Sequence, residues 1–146
     1  MDNDITYRFA DNATVEWAAR EWSQVVANHM HIEDGFTLVA CHADIPIALI
    51  SIVYRQLPTP LPPTTEAFID IIEVRPEFRR RGIARRLVEL ACEEAAKTDV
   101  HQLRGWSSAN KVEAIPMWKE LKFALCPATI YPRGQEVNGY YFAKLL

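Results

Sequence analysis

The stretch IIEVRPEFRRRGIARRLVELA, residues 71–91, decides the fold. A near-continuous apolar run predicts a strand over Ala67–Val74, and apolar residues spaced three and four apart predict a helix over Gly82–Lys97. Where a helix begins, its first backbone N–H groups have no partner within the helix, so a turn of this kind can bind an anion. Gly82 lets a phosphate approach the backbone because it has no Cβ, and the small Ala84 keeps that approach open. The segment therefore predicts a site for a pyrophosphate group.

Charge is distributed unevenly around this turn. Residues 1–74 hold eleven acidic and three basic residues, a net charge of −8, whereas residues 75–146 hold eight acidic and thirteen basic residues, a net charge of +5. Six arginines fall within twelve positions: Arg75, Arg79, Arg80, Arg81, Arg85 and Arg86. A basic cluster in a chain with a net charge of −3 indicates one anionic ligand held at one place, not a nucleic-acid surface.

Hydrophobic periodicity predicts the rest of the fold. The predicted order is β-α-β-β-β-α-β-α-β-β, which is typical of a layered α/β (α+β) domain with a mixed central sheet flanked by helices. We expect residues 1–146 to form this single domain. Strands are predicted at 5–9, 36–42, 45–55, 67–74, 100–107, 123–128 and 138–145, and helices at 12–30, 82–97 and 111–121. The proline-rich stretch 57–65 is predicted to be a loop.

Composition predicts a cytoplasmic protein. The first residues show neither a basic start nor an apolar run, and no apolar stretch approaches the roughly 20 residues that a membrane helix needs. The three cysteines are odd in number and far apart, as in a reducing compartment. His29, His31, Cys41 and His42 do not follow zinc-site spacing, so no metal is expected. A homodimer is compatible with the sequence, which does not fix the oligomeric state.

Arg79, Gly82 and Ala84 form the pattern R-x-x-G-x-A, which is neither the dinucleotide-binding pattern nor the P-loop. The pattern resembles the acyl-CoA-binding motif of the GNAT superfamily of N-acyltransferases, and Val74 and Pro76 match its usual lead-in. Farther along, the stretch AIPMWKELKF, residues 114–123, resembles a second characteristic segment of that family. Asn110 precedes this segment, as the CoA-contacting Asn of the family does.

The resemblance implies a set of acetyl-CoA contacts. The pyrophosphate would lie on the backbone of the turn formed by Arg79, Arg80, Arg81, Gly82, Ile83 and Ala84. The pantetheine arm would pair with the strand near Ile72 and Val74, which splays from its neighbour in this family. The backbone N–H near Val74 would polarise the thioester carbonyl, and Asn110 would contact the CoA arm.

The chemistry that the resemblance implies is direct attack of an amine on acetyl-CoA. An alkylammonium ion must first lose a proton, and a carboxylate can accept it directly or through water. The predicted strand offers Asp70 as the first candidate and Glu73 as the second. Because they are three residues apart, they would face opposite sides of a regular strand. The alternative for either is an ion pair with a neighbour such as Arg75, or an exposed edge charge.

Three positions depart from the family pattern. Trp118 replaces the family's usual Tyr, which is thought to protonate the leaving thiolate, and an indole cannot serve as that acid. Trp118 is therefore predicted to line the acyl or pantetheine channel or to be core, and water, Tyr131, Tyr140 or Tyr141 would supply the proton. Lys122 replaces the usual Gly at a helix end, so that end needs another cap. The spacing from Asn110 to the second segment is one residue longer than usual.

These features predict an acetyl-CoA-dependent N-acetyltransferase that acts on a primary amine of a small molecule or peptide. The net charge of −8 before Arg75 favours a cationic acceptor. Because Trp118 replaces the Tyr, the alternative is a non-catalytic acyl-CoA-binding module. A third hypothesis is that the protein binds phosphate or nucleic acid through the arginines alone.

Overall fold

The computed structural model describes residues 4–57 and 64–146. Its strands are β1 Ile5–Phe9, β2 Gly35–His42, β3 Ile45–Gln56, β4 Thr65–Val74, β5 Gln102–Ser108, β6 Ala124–Ile130 and β7 Val137–Leu145. Its helices are α1 Asn12–Glu21, α2 Gln24–Asn28, α3 Ile83–Ala95 and α4 Ile115–Glu120. The strands form one seven-stranded sheet in the order β1-β2-β3-β4-β5-β7-β6. The predicted α/β class with a mixed sheet is confirmed.

Two apolar cores lie on the two faces of this sheet. The larger core lies beneath α3 and α4 and contains Ile50 and Ile52 of β3 together with Leu87 of α3. The smaller core lies beneath α1 and α2 and contains Val39 of β2 and Leu49 of β3. Neighbouring residues of β3 thus enter opposite cores, because side chains alternate across a strand. Both faces of the central strands are buried, which explains their continuous apolar sequences.

The sheet is antiparallel except where β4 and β5 run parallel. These two strands are connected through α3, as a parallel pair requires a crossover. Their pairing extends only over Ala67 with Leu103 and Phe68 with Arg104. Beyond Phe68 the two strands separate, which leaves an unpaired edge on β4.

The predicted helix over 12–30 is two helices. Ser23 lies between them in an extended conformation, and its hydroxyl accepts hydrogen bonds from the backbone N–H groups of Val25 and Val26. Serine in this position begins a new helix because its side chain satisfies the free N–H groups. The prediction of one continuous helix missed this cap.

The predicted helix over 111–121 is also shorter. A 3-10 segment occupies Ala109–Ala114, and α4 follows with Pro116 in its first turn, where proline does not interrupt a helix. At the end of α4, Lys122 itself adopts the left-handed conformation with φ of 70°. The backbone N–H of Phe123 then donates to the carbonyl of Trp118. Lys122 therefore adopts the left-handed backbone conformation that glycine usually provides at a helix end. The expectation that this end needs a different cap was wrong.

The predicted loop over 57–65 lies partly outside the described residues, since 58–63 are not described. The N–H of Leu57 donates to the carbonyl of Thr64, and β4 already begins at Thr65. Across the described ranges, we find no helix with the length and apolar character needed to cross a membrane.

Candidate active site

A cleft opens where β4 and β5 separate. It has a volume of about 550 Å³, and β4 contributes to it every residue from Ile69 to Val74. Trp106 and Ser107 of β5 form the opposite side, and Trp118 and Phe142 form part of its floor. A strand edge without a neighbour presents N–H and C=O groups to whatever occupies the cleft. The cleft can therefore bind an extended, amide-containing chain.

The turn after β4 extends this cleft. A second section of about 630 Å³ is lined by Arg79, Arg80, Gly82, Ile83 and Ala84, and it shares Val74 with the first section. Arg80 has φ of 64° and Gly82 has φ of 77°, so the backbone reverses tightly just before α3 begins. An ideal Cβ on Gly82 would meet no atom within 4 Å. Glycine is therefore favoured here by the backbone conformation and by the open space that a ligand can enter.

The six arginines do not form one basic surface. Arg79 donates from Nε to the carbonyl of Val74 at 3.0 Å, which folds its side chain back along the strand end. Arg75 lies over the ring of Trp22, 4.7 Å from its centroid. Arg85 pairs with Glu120, and Arg86 pairs with Glu89 and Glu93. The six arginines are close together in the sequence, but their side chains have different partners, and only Arg79, Arg80 and Arg85 line the cleft.

Asp70 and Glu73 line the same cleft, contrary to the expectation of opposite sides. On β3, Ser51 pairs with Ile71 and Ile52 pairs with Ile69, so Asp70 is an extra residue in β4, a β-bulge. A bulge interrupts the regular alternation of side chains along a strand. The prediction that Asp70 and Glu73 face opposite sides was therefore wrong, because it assumed a regular strand. Neither carboxylate pairs with Arg75 among the described contacts, because Arg75 lies against Trp22.

Two histidines hold the Asp70 carboxylate. Nδ1 of His29 and Nε2 of His31 both donate to Oδ2 of Asp70, at 3.0 and 2.8 Å. Burial alone raises the pKa of Asp70, but the hydrogen bonds from His31 and His29 outweigh it and leave the pKa below its usual value. Burial alone lowers the pKa of His31, but its bonds to Asp70 and Asp34 leave that pKa raised. Asp70 is therefore ionised at neutral pH.

Two indole N–H groups lie buried at the cleft without partners. Trp118 is 3% exposed and stacks on Phe142 with ring centroids 3.9 Å apart. Within the described part of the chain, Nε1 of Trp118 and Nε1 of Trp106 have no hydrogen-bond acceptor. Both tryptophans line the cleft, and Trp118 also belongs to the larger core.

Two predicted contact residues lie away from the cleft lining. Asn110 is exposed in the 3-10 segment, where its side chain contacts the hydroxyl of Ser108. Arg81 is exposed, with its guanidinium above the ring of Phe78. Lys111 and Glu113 of the same 3-10 segment line the cleft instead of Asn110.

The three tyrosines considered as acids for the thiolate are also away from the lining. The hydroxyl of Tyr140 donates to the carbonyl of Lys111 at 3.1 Å, and that of Tyr131 contacts Glu136. The ring of Tyr141 lies beneath Arg104. As far as the described residues show, none of these phenols reaches the cleft.

Sequence reasoning missed Trp106 and the two histidines. On β5, Leu103 and Gly105 face one side of the sheet and Trp106 faces the other. The alternating pattern of the sequence does not show that β4 and β5 separate beside Trp106. His29 and His31 lie 41 and 39 residues from Asp70 in the chain, and only the fold brings them together. His42 lies elsewhere, against the ring of Phe78, and Cys41 is buried in the smaller core.

An α/β sheet that splays beside a glycine turn and a helix start defines a class of enzymes that bind acyl-CoA and transfer the acyl group. Residues 3–123 match the acetyltransferase (GNAT) family, and the chain belongs to that family. Acetyl-CoA is the co-substrate of this family. The open backbone at Gly82, the unpaired edge of β4 and the two orphaned indole N–H groups fit such a ligand.

Solved structures confirm the fold. Arabidopsis thaliana NAA60 in complex with a bisubstrate analogue is 17% identical with a TM-score of 0.73, covering 97% of this chain and 99% of that one. The ribosomal-protein-S18-alanine N-acetyltransferase from Escherichia coli is 19% identical with a TM-score of 0.72, covering 97% and 93%. YncA from Salmonella typhimurium, a putative acetyltransferase with its cofactor acetyl-CoA, is 17% identical with a TM-score of 0.71, covering 99% and 95%. No curated protein matches the chain in sequence.

Proposed function

We propose that residues 1–146 act as one N-acetyltransferase domain that moves the acetyl group of acetyl-CoA to a primary amine of a small molecule or peptide. The observation that carries this proposal is the continuity of the two cleft sections at Val74. One section has the backbone geometry for a pyrophosphate, and the other has a free strand edge and two carboxylates. Donor and acceptor would therefore meet beside β4.

In this proposal the backbone from Arg79 to Ala84 holds the pyrophosphate, with Gly82 leaving the approach open. The edge of β4 near Ile72 and Val74 pairs with the pantetheine arm, and Trp118 closes the channel behind it. Arg81 and Asn110 would contact only the outer, solvent-exposed parts of the CoA. Of the two carboxylates in the cleft, Asp70 is our first candidate for removing the ammonium proton and Glu73 the second.

The acceptor is proposed to be a cationic primary amine. An alkylammonium ion is attracted to Asp70 and Glu73, which share the cleft. Two of the similar structures are described with a protein or peptide acceptor: the ribosomal-protein-S18-alanine N-acetyltransferase and Arabidopsis thaliana Naa50 in complex with the bisubstrate analogue CoA-Ac-MVNAL. They favour a peptide α-amine as the first acceptor to test. Polyamines and aminoglycosides are the small-molecule acceptors to compare with it.

Binding of acetyl-CoA at the turn is tested with two matched glycine variants. Gly82 and Gly134 both have φ of 77° and open space around an added Cβ. Gly82→Ala and Gly134→Ala should therefore destabilise the chain similarly, by about 1–2 kcal/mol. Acetyl-CoA at about 100 times its Kd should stabilise the wild-type and Gly134→Ala chains by about 2.7 kcal/mol. Gly82→Ala should lose most of that stabilisation, and equal stabilisation of both variants would contradict the proposed cradle.

Transfer is tested by release of the CoA thiol with each class of amine. We expect release that depends on both acetyl-CoA and the amine. Stabilisation by acetyl-CoA with no turnover for any acceptor would instead favour the non-catalytic acyl-CoA-binding module. No stabilisation by acetyl-CoA, together with salt-sensitive DNA binding, would favour the arginines as a phosphate-binding surface.

A further inference from the structure

The residues that line the gap between β4 and β5 are divided between the two faces of the sheet. An added Cβ on Gly105 would lie 2.4 Å from the ring of Phe142, so Gly105 faces the larger core beneath α3 and α4. Trp106 follows Gly105 on β5 and faces the other side, because side chains alternate along a strand. That side is the one on which α1 and α2 pack. Trp106 therefore points away from the core that contains Trp118.

Asp70 lies on the same face of the sheet as Trp106. Its carboxylate is bonded to His31, whose backbone N–H donates to the hydroxyl of Ser51. On β3, Ser51 lies between two residues that enter the larger core, so its hydroxyl faces the side of α1 and α2. Asp70 and Trp106 both line the cleft, one on each side of the gap. A carboxylate and an indole ring thus flank the gap on one face.

The groups that we assign to acetyl-CoA lie on the opposite face. The turn from Arg79 to Ala84 leads into α3, and Trp118 belongs to α4, and both helices pack on the larger core. In the proposed transfer, acetyl-CoA reaches the gap from that face. The amine must then enter from the face that carries Asp70 and Trp106, so Trp106 lies beside the acceptor.

Packing alone holds the ring of Trp106. Trp106 pairs with Tyr141 of β7, and the next β7 residue on that face is Gly139. An ideal Cβ on Gly139 would lie 2.4 Å from Cζ2 and 2.9 Å from Cε2 of the indole. The ring therefore lies directly on the glycine backbone, where any other residue would displace it. Among the described residues Nε1 of Trp106 has no acceptor, so no hydrogen bond fixes the ring.

We propose that Trp106 selects the acceptor by the size of the group on its amine-bearing carbon, with Gly139 as a positioning residue; this rests on the proposed acetyl transfer. An ammonium ion at Asp70 places that group in the gap, and the indole forms the far side of the gap. The same cleft section, about 550 Å³, must also hold the pantetheine arm and the acetyl group. The acceptor class is therefore a peptide α-amine whose first residue is small, such as glycine, alanine or serine.

Charge by itself does not provide this selection. The carboxylates of Asp70 and Glu73 attract an alkylammonium ion whatever its substituent is. Discrimination between amines must come from a contact with the substituent, and one methylene in an apolar pocket changes kcat/KM by about 10- to 200-fold. The ring of Trp106 cannot move toward β7 to admit a larger group, because the backbone of Gly139 lies against it.

The test compares kcat/KM for peptides that differ only in their first residue, with the full chain and acetyl-CoA. The wild type should prefer alanine peptides to leucine peptides. Trp106→Ala should raise the leucine-to-alanine ratio by about 10- to 200-fold, and Trp106→Phe should raise it less. Trp17→Ala is the matched control, because Trp17 is also half-buried but lines neither cleft section. It should keep the wild-type ratio.

Acetyl-CoA should stabilise Trp106→Ala as it stabilises the wild type, because the ring lies on the acceptor side. A wild type that does not distinguish the peptides, an unchanged ratio in Trp106→Ala, or loss of acetyl-CoA binding in that variant overturns the assignment. If Trp106→Ala does not fold, the ratio of Trp106→Phe decides in the same way. A wild type that binds acetyl-CoA but acetylates no amine overturns the proposed function, whereas an active wild type with an unchanged ratio in Trp106→Ala overturns only this inference.

Gly139→Ala tests the positioning role. The added Cβ would also lie 2.2 Å from the carbonyl oxygen of Ser107, so both the ring and the strand must shift. We expect the leucine-to-alanine ratio to change by about tenfold or more, with acetyl-CoA binding retained. In the Trp106→Ala background the same substitution should change the ratio by less than about threefold, because the ring is absent. Equal effects in both backgrounds would show that Gly139 does not act through Trp106 and would overturn its positioning role.

Discussion

Two carboxylates on β4, Glu66 and Asp70, are four residues apart and have different surroundings. Glu66 is 1% exposed and accepts hydrogen bonds from Arg55, Gln102 and Arg104. Burial alone raises the pKa of Glu66, but these bonds lower it to about 2. Asp70 is 30% exposed, lies in the cleft, and is held by two imidazoles. Its pKa is also lowered, although its partners are different.

The difference shows that a lowered pKa does not by itself identify a functional carboxylate. The guanidiniums beside Glu66 stay charged at every ordinary pH, so that cluster is a permanent connection between β3, β4 and β5. Of the partners of Asp70, His31 has a raised pKa and can lose its charge as pH rises, and Asp70 itself lines the cleft. Exposure to the cleft and hydrogen bonds to histidines distinguish Asp70 from Glu66, and substitutions at the two positions should therefore have different effects.

The largest effect is expected for Asp70→Asn. We expect kcat/KM to fall by about 10²- to 10⁴-fold, because the asparagine amide cannot accept the ammonium proton that we propose Asp70 removes. The free energy of unfolding should fall by about 1 kcal/mol or less, since the ion pair with His31 is partly exposed. Steady-state kinetics and thermal melting measure the two effects. A variant with full activity would make Asp70 a structural carboxylate like Glu66.

The opposite pattern is expected for Glu66→Gln. Removing one member of a buried ion cluster leaves Arg104 without its charge partner, and we expect the free energy of unfolding to fall by about 3 kcal/mol. The remaining folded protein should keep its kcat/KM within about threefold, because Glu66 does not line the cleft. Denaturant unfolding and kinetics below the melting temperature check this. A large loss of kcat in folded Glu66→Gln would contradict the assignment of Glu66 to a purely structural role.

Stability should depend on pH in two separate ranges. The pKa of Glu66 is depressed from 4.5 to about 2, so its contribution is present above about pH 4.5 and is lost as pH falls toward 2. The pKa of His31 is raised above 6.5, so its contribution is complete below pH 6.5 and is lost as pH rises through the raised value.

Melting temperature as a function of pH distinguishes the two. Glu66→Gln should reduce the loss of stability between about pH 4.5 and 2 and leave the limb above pH 6.5 unchanged. His31→Gln should flatten the limb above pH 6.5, and it should also reduce the part of the acidic loss that comes from Asp70, because His31 lowers the pKa of Asp70. If Glu66→Gln also removed the limb above pH 6.5, the two clusters would be one connected network.

The same contrast explains what the sequence could and could not predict. The stretch from Ile71 to Ala91 carries a local pattern, so its strand, turn and helix and the family followed from adjacent residues. The cleft itself depends on β4 and β5 separating after Phe68, which no local pattern shows. The bulge at Asp70 arises from pairing with β3, so its side-chain direction could not be counted from the sequence.

The smallest effect concerns coupling between the two carboxylates. Four residues of extended chain separate Glu66 and Asp70 by about 13 Å, and no partner of one contacts the other among the described bonds. The unfolding free energies of Glu66→Gln and Asp70→Asn should therefore add within about 0.5 kcal/mol in the double variant. Phe68 lies between the two sites, with the Arg55 guanidinium 3.7 Å above its ring. A larger coupling would mean that Phe68 transmits strain along the strand, and Phe68→Leu in the double variant should then remove it.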